Sequence, residues 1–149
     1  MDSMKGMFQG FDIAAAGLRA EMARAQVVAA NISNANRTGN PDPYRRKSLL
    51  FSEVLAESAG TLRGIDGSDV VPAGVEVSGI YEDHTSPFVP KYDPGHPDAD
   101  DRGFVLMSNV DLMRELVDLS VIERSYQANL AAMNTYRGMV RQTIERMAT

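Results

Sequence analysis

The decapeptide Tyr92-Asp93-Pro94-Gly95-His96-Pro97-Asp98-Ala99-Asp100-Asp101 brings four carboxylates and an imidazole into the nine residues from Asp93 to Asp101. Oxygen donors at that density suit calcium, and an imidazole among them suits a transition metal. The spacing matches no EF-hand loop, however, and Pro94 and Pro97 restrict how Asp93, His96, Asp98 and Asp100 could converge on one ion. The other reading is a rigid acidic turn that holds no metal. His84, flanked by Glu82 and Asp83, reads as a solvated turn residue on the same grounds. Catalytic patterns are scarce: there is no Gly-rich phosphate loop and no nucleophile elbow, and the chain holds no cysteine and two isolated histidines. Aspartates and serines are plentiful, yet no pair is singled out for hydrolysis. The expectation is a protein that is not an enzyme and carries no metal or cofactor.

Composition narrows the class further. At 149 residues and 44% hydrophobic content, one domain is expected. Without cysteine there is neither a disulfide framework nor a thiolate zinc or redox site, so stability must come from packing or assembly. A net charge of -5 and a pI near 5.0 argue against nucleic-acid binding, and the basic cluster Arg45-Arg46-Lys47 is short. The opening residues Met1-Asp2-Ser3-Met4-Lys5-Gly6 form no basic leader, and no apolar run is long enough to cross a bilayer. A protein of this kind, if it leaves the cytoplasm, needs a route that reads no cleaved signal, and direct membrane insertion is not expected.

The elements that must position these residues lie at the two ends. From Met4 to Ile32, apolar residues recur at Met4, Phe8, Phe11, Ala15, Leu18, Met22, Ala25, Ala29 and Ile32, alternating by four and three. That is a heptad seam on a helix about 45 Å long at about 1.5 Å per residue. Gly6, Gly10 and Gly17 lower helix propensity, and the alanines around them offset part of that loss. The far end repeats the alternation through Leu112, Leu116, Leu119, Tyr126, Leu130, Met133, Val140, Ile144 and Met147, interrupted at Glu123 and Arg137. Ser108 or Asn109 is expected to cap this helix, with Asp111 favoured by the positive end of its dipole. Two such seams pack either against each other as a hairpin or against other subunits, and periodicity alone leaves both open.

Between them, residues 34–108 hold all seven prolines, twelve acidic side chains and seven basic ones. The tract Asn34-Ala35-Asn36-Arg37-Thr38-Gly39-Asn40-Pro41-Asp42-Pro43-Tyr44 is dense in turn formers and should stop the first helix abruptly. A second break is expected at Gly64 to Gly67. Gly74 to Glu82 reads as a strand, and Val70, Val71, Phe88, Val89, Phe104 and Val105 offer further short ones. The fold class expected is α+β: long terminal helices forming a coiled-coil-like pair or an inter-subunit bundle, with a small β-rich, loop-rich middle. The segments are 1–33, 34–108 and 109–149, treated as one domain.

Three separated motifs, in order, resemble the flagellar basal-body rod proteins of the FlgC type, within the flagellar rod and hook axial family. The first is Phe11-Asp12-Ile13-Ala14 followed by Val28-Ala29-Ala30-Asn31-Ile32-Ser33-Asn34-Ala35-Asn36 and closed by Pro43-Tyr44-Arg45-Arg46-Lys47. The second is the turn Tyr92 to Asp100. The third runs from Asn109-Val110-Asp111 through Arg124-Ser125-Tyr126-Gln127-Ala128-Asn129 to Asn134-Thr135. Thr38 to Asp42 departs from the family pattern, and Phe51 to Val71 carries no family marker. The resemblance implies a structural subunit of the proximal rod of the bacterial flagellum. It also implies export through the flagellar type III apparatus without a cleaved signal peptide, and helical assembly with other copies and other rod proteins into a hollow, torque-transmitting shaft. The assembly interface it implies is Phe8, Phe11, Leu18, Met22 and Ile32 with Leu112, Leu116, Leu119, Tyr126, Leu130, Met133, Val140 and Ile144. Asn31, Asn34, Asn36 and Tyr44 would form the motif turn, the amides of Asn31, Asn34 and Asn36 meeting backbone groups freed at the helix end. The alternative role is a coiled-coil adaptor or chaperone of flagellar export.

Overall fold

A computed structural model describes residues 2–39, 41–56 and 71–147, with side chains at 10–39, 41–53 and 74–146. The expected break at Gly64 to Gly67, the strand residue Val70, most of the unmarked tract Phe51 to Val71 and the Phe8 side chain lie outside the described residues. The element order is α1 (Asp2–Asn34), β1 (Lys47–Ala56), β2 (Val71–Glu82), β3 (Val89–Tyr92), β4 (Phe104–Met107) and α2 (Leu112–Met147). β1 pairs with β2 and β3 with β4, giving two small two-stranded sheets between long helices. The architecture is α+β.

α1 stops where the turn formers begin. The Asn34 side-chain amide donates to the Ala30 carbonyl at 2.7 Å, meeting one acceptor that the helix end leaves open. α2 is capped by Asp111, where Ser108 or Asn109 was expected: the Asp111 Oδ1 accepts from the amides of Met113 at 2.9 Å and Arg114 at 3.3 Å. Ser108 turns its hydroxyl to the Val110 amide, and Asn109 is engaged elsewhere. β1 was not foreseen from the sequence, whereas β2 starts three residues before the strand expected at Gly74.

The chain divides into two compact units. One comprises Met1–Met22, Phe51–Ser78 and Glu123–Thr149; the other comprises Ala23–Leu50 and Gly79–Ile122. In the first unit, side chains of α2 lie directly against the backbone of α1. A Cβ added at Gly10 would lie 2.5 Å from the Tyr136 ring, and one at Gly17 would lie 2.8 Å from the Asn129 amide. β2 crosses equally close: at Gly74, whose φ is +132°, a Cβ would meet the Ala16 Cβ at 2.9 Å. Small residues here permit approach distances that larger side chains forbid.

In the second unit, β3 and β4 form an antiparallel hairpin with Val89 opposite Met107 and Tyr92 opposite Phe104, whose rings meet edge to face at 5.3 Å. The bend after α1 docks beside β4 through a Thr38–Met107 bridge and a bond from the Ser108 amide to the Arg37 carbonyl at 3.3 Å. Val105, 1% exposed, is the core residue of this hairpin. Gly103 closes the loop with φ +79°, and a Cβ there would come within 3.0 Å of the Tyr92 ring. Gly103→Ala should therefore destabilise the protein by about 1–2 kcal/mol, read as a lowered midpoint of chemical denaturation.

Candidate functional site

A carboxylate with no exposure to water lies at the centre of the second unit. Glu115, on the first turn of α2, and Asn31, near the end of α1, are both 0% exposed. The Asn31 Nδ2 donates to Glu115 Oε2 at 3.0 Å and to the Lys47 carbonyl at 2.8 Å; its Oδ1 accepts from the Tyr44 hydroxyl and the Lys47 amide, each at 2.9 Å. Every hydrogen-bonding position of this amide is thereby used. Asn31 thus bridges to β1 and α2, beyond any role at its own helix end. The Glu115 Oε1 accepts from the Arg46 Nε at 2.6 Å, a charge-assisted bond that compensates the buried charge. Burial pushes the Tyr44 phenol above its ordinary value, with Lys47 pulling the other way.

Arg46 ties the surrounding loops into the same network. Its amide donates to Asn109 Oδ1 at 2.7 Å, its carbonyl accepts from the Asp83 amide at 2.8 Å, and its guanidinium reaches Asp118 at 3.3 Å. Asn109 in turn donates to the carbonyls of Asp83 at 3.0 Å and Ser86 at 3.3 Å. The Asp83 carboxylate accepts from the Ser86 hydroxyl and from the Ser86 and Thr85 amides, and those bonds lower its pKa from 3.8 to about 2. The short basic cluster is thus engaged within the fold. Arg45 stacks over Phe88 at 4.2 Å, and Lys47 pairs with Glu82 at 3.2 Å.

The acidic loop joins β3 to β4 and is held by its own polar groups. Asp100 Oδ1 accepts from the amides of Arg102 at 2.9 Å and Phe104 at 2.8 Å, while Asp98 Oδ2 accepts from the Thr38 hydroxyl at 2.8 Å. His96 accepts the Asp98 amide through Nδ1 at 3.1 Å, which leaves its ring proton on Nε2. The Asp93 amide donates to the Gly103 carbonyl at 2.9 Å across the loop mouth. Among the described residues no three metal-ligating side chains converge. His84 is exposed, 3.9 Å from Glu82. Asn36 is exposed and lies beside Thr38, Asp93 and His96 around a small cleft.

The helices turn the opposite face from the usual one toward each other. On α1 the residues Gly10, Ala14, Gly17, Val28 and Asn31, followed by Ala35 just past its end, fall on one seam, and each is buried or half-buried. The matching face of α2 carries Glu115, Ile122, Asn129, Tyr136 and Thr143, spaced by sevens. Apart from Val28 and Ile122 this inner seam is small or polar. The bulky apolar seams are less covered than the inner one. Phe11, Leu18, Ile32, Tyr126, Met133 and Val140 are half-buried, and Met22, Leu112, Leu116, Leu119, Leu130 and Ile144 are exposed, Ile144 by 60%. Sequence periodicity singled out the outer seams because their residues are large. It missed the inner one, whose members weigh little on any hydrophobicity scale, and it missed Glu115, Arg46 and Asn109 as network residues.

Residues 101–146 match the family described as Flagellar basal body rod FlgEFG protein C-terminal. Over 136 residues the chain is 38% identical to flagellar basal-body rod protein FlgC of Escherichia coli O157:H7, covering 90% of this chain and 92% of that protein. The FlgC protein of Bacillus subtilis is 37% identical over 145 residues, covering 93% and 96%. That of Borreliella burgdorferi is 33% identical over 147 residues, again covering 93% and 96%.

The buried ion pair should behave asymmetrically on substitution. Arg46→Met strands the Glu115 carboxylate and should cost about 3–5 kcal/mol in chemical denaturation, whereas Arg46→Met combined with Glu115→Leu should recover most of that loss. Asp83 should give a separate acid signature. Its folded pKa lies below the unfolded value, so its contribution is complete above 3.8 and is lost as pH falls toward about 2. Asp83→Asn should remove that part of the pH dependence, seen by comparing denaturation midpoints of the two proteins along an acid titration.

Proposed function

The chain belongs to the flagellar basal-body rod proteins of the FlgC type, and from that premise we propose that it builds the rod through the outward apolar seams of its two terminal helices. It is a structural subunit of the flagellar basal body and assembles with other rod components. In the proposal, copies of this chain and neighbouring rod proteins pack seam to seam in a helical array. The outcome is a hollow shaft that carries torque and passes export substrates, and the subunit reaches it through the flagellar type III apparatus. The family relationship is what supports that route.

One observation carries the assembly reading: none of the described outer-seam residues is buried within the chain. A helix face rich in Leu, Met and Ile that its own subunit leaves only half-covered or exposed is a face suited to another subunit. Hairpin packing and inter-subunit packing, alternatives from periodicity alone, then divide between two faces of the same helices. The inner seam makes the hairpin, and the outer seam supports contacts with neighbours. The buried network holds the start of α2 so that Leu112, Leu116 and Leu119 stay outward. The acidic loop serves as a structural turn in this scheme, consistent with its internal bonding.

Mass spectrometry of purified hook and basal-body complexes should find the protein, and electron microscopy of a strain lacking its gene should show incomplete rods. Absence from intact complexes would leave the export adaptor or chaperone reading in its place. Leu18→Glu or Leu130→Glu should block assembly and motility while the subunit is still secreted into the medium. Normal swimming by either strain would refute assembly through the outer seams.

A further inference from the structure

Resting on that assembly reading, we infer that the start of α2 in one copy docks into a basic-rimmed apolar groove at the end of α2 in a second copy, in a head-to-tail contact. The groove is formed by Phe11, Val140 and Ile144, with Arg137, Arg141 and Glu145 on its rim, the last two paired at 3.0 Å, and has a volume of about 480 Å³. Its floor is apolar and it opens to solvent, which suits a row of aliphatic side chains from a helix.

The start of α2 presents such a row. Leu112, Leu116 and Leu119 are exposed at helical spacing, with Met113 73% and Val117 64% exposed beside them. Glu115 and Asp118 face the network, so this segment is apolar nearly all round its remaining surface.

Charge points to a second copy as the occupant. Residues 111–118 carry Asp111, Glu115 and Asp118 against Arg114, a net -2, and the groove carries Arg137 and Arg141 against Glu145, a net +1. Arg46 neutralises one of the acidic charges, and that end remains negative. Acids at a helix start and bases at its end also suit the helix dipole, but the dipole gives no reason for exposed leucines beside the acids or an apolar groove beside the bases. Opposite charge and matching apolar surface at the two ends of one helix make a pair of patches that fit each other and not themselves. Such a heterologous contact leaves one patch open at each end and propagates.

Mixing tests this directly. The full chain should sediment as species that grow with concentration, more strongly at low salt. Leu116→Asp removes one patch and Ile144→Asp the other, so each variant alone should associate more than about tenfold more weakly. An equimolar mixture of the two should form dimers, because one contact joins an intact groove to an intact helix start, and nothing can add beyond it. Should either lose helical circular dichroism, Leu112→Asp and Val140→Asp replace them in the same mixture. A wild-type chain that stays monomeric, a single variant that still polymerises, or a mixture of folded variants that stays monomeric would each overturn the contact. Finding the protein in purified rods alongside such a result would remove this contact and leave rod membership standing; absence from rods would remove both.

Discussion

A carboxylate removed from water has to be compensated where it stands, and the second unit is organised around that requirement at Glu115. Desolvating such a charge costs several kcal/mol, which is offset only if its oxygens find well-placed donors. Here the donors are the guanidinium of Arg46, just before β1, and the amide of Asn31, near the end of α1. Compensating one charge therefore fixes three chain segments against each other. Tyr44, Asn109 and the Asp83 turn extend the arrangement through bonds that each satisfy a polar group left open by a chain end or a bend. An apolar residue at position 115 would bury as readily, but it would impose no register on α2. Ionic and amide geometry does, and that register decides which side of the helix the leucines occupy.

The inner seam follows a complementary logic in the first unit. Gly10 and Gly17 let the backbone of α1 approach Tyr136 and Asn129, so close contact replaces bulky interlock. Such packing gains dispersion along the helix but buries little aliphatic area. The bulky side chains lie on the outer seams, half-buried or exposed, so much of their hydrophobic contribution, at about 25 cal/mol per Å², is not realised within the chain. Helix pairing and burial of bulky residues are thus assigned to different faces, so one pair of helices can keep its own partner while offering another surface.

Both long helices were legible in the sequence, because a proline-free run with sustained four-three spacing has few alternatives. Short strands at β3 and β4 were legible from their apolar pairs, though not their pairing as a hairpin. β1 was not, because Leu49-Leu50-Phe51 and Val54-Leu55-Ala56 lack the period-two alternation that marks a half-buried strand. At the site, Asn31 and Tyr44 stood out within a motif, but their shared bridge did not. Glu115 gave no signal, since a glutamate on a helix is exposed by default and its burial depends on Arg46, 69 positions earlier. The Asp111 cap was placed on its neighbours because Ser108, Asn109 and Asp111 are all competent caps, and the network claims Asn109 first. What stayed hidden is of one kind: roles created by a contact between distant residues, not by a local pattern.

The outward seams have a thermodynamic consequence for the chain. Apolar surface that its own fold leaves uncovered contributes stability only when something else covers it, and that contribution grows with the concentration of the covering partner. A single subunit and a surrounded one are therefore different thermodynamic objects with the same covalent structure. The melting behaviour of a dilute solution measures the network around Glu115 and the glycine seam. If neighbours cover Leu112, Leu116, Leu130 and Ile144 as proposed, these residues add to the same free energy, and unfolding one chain then requires withdrawing it from its neighbours first.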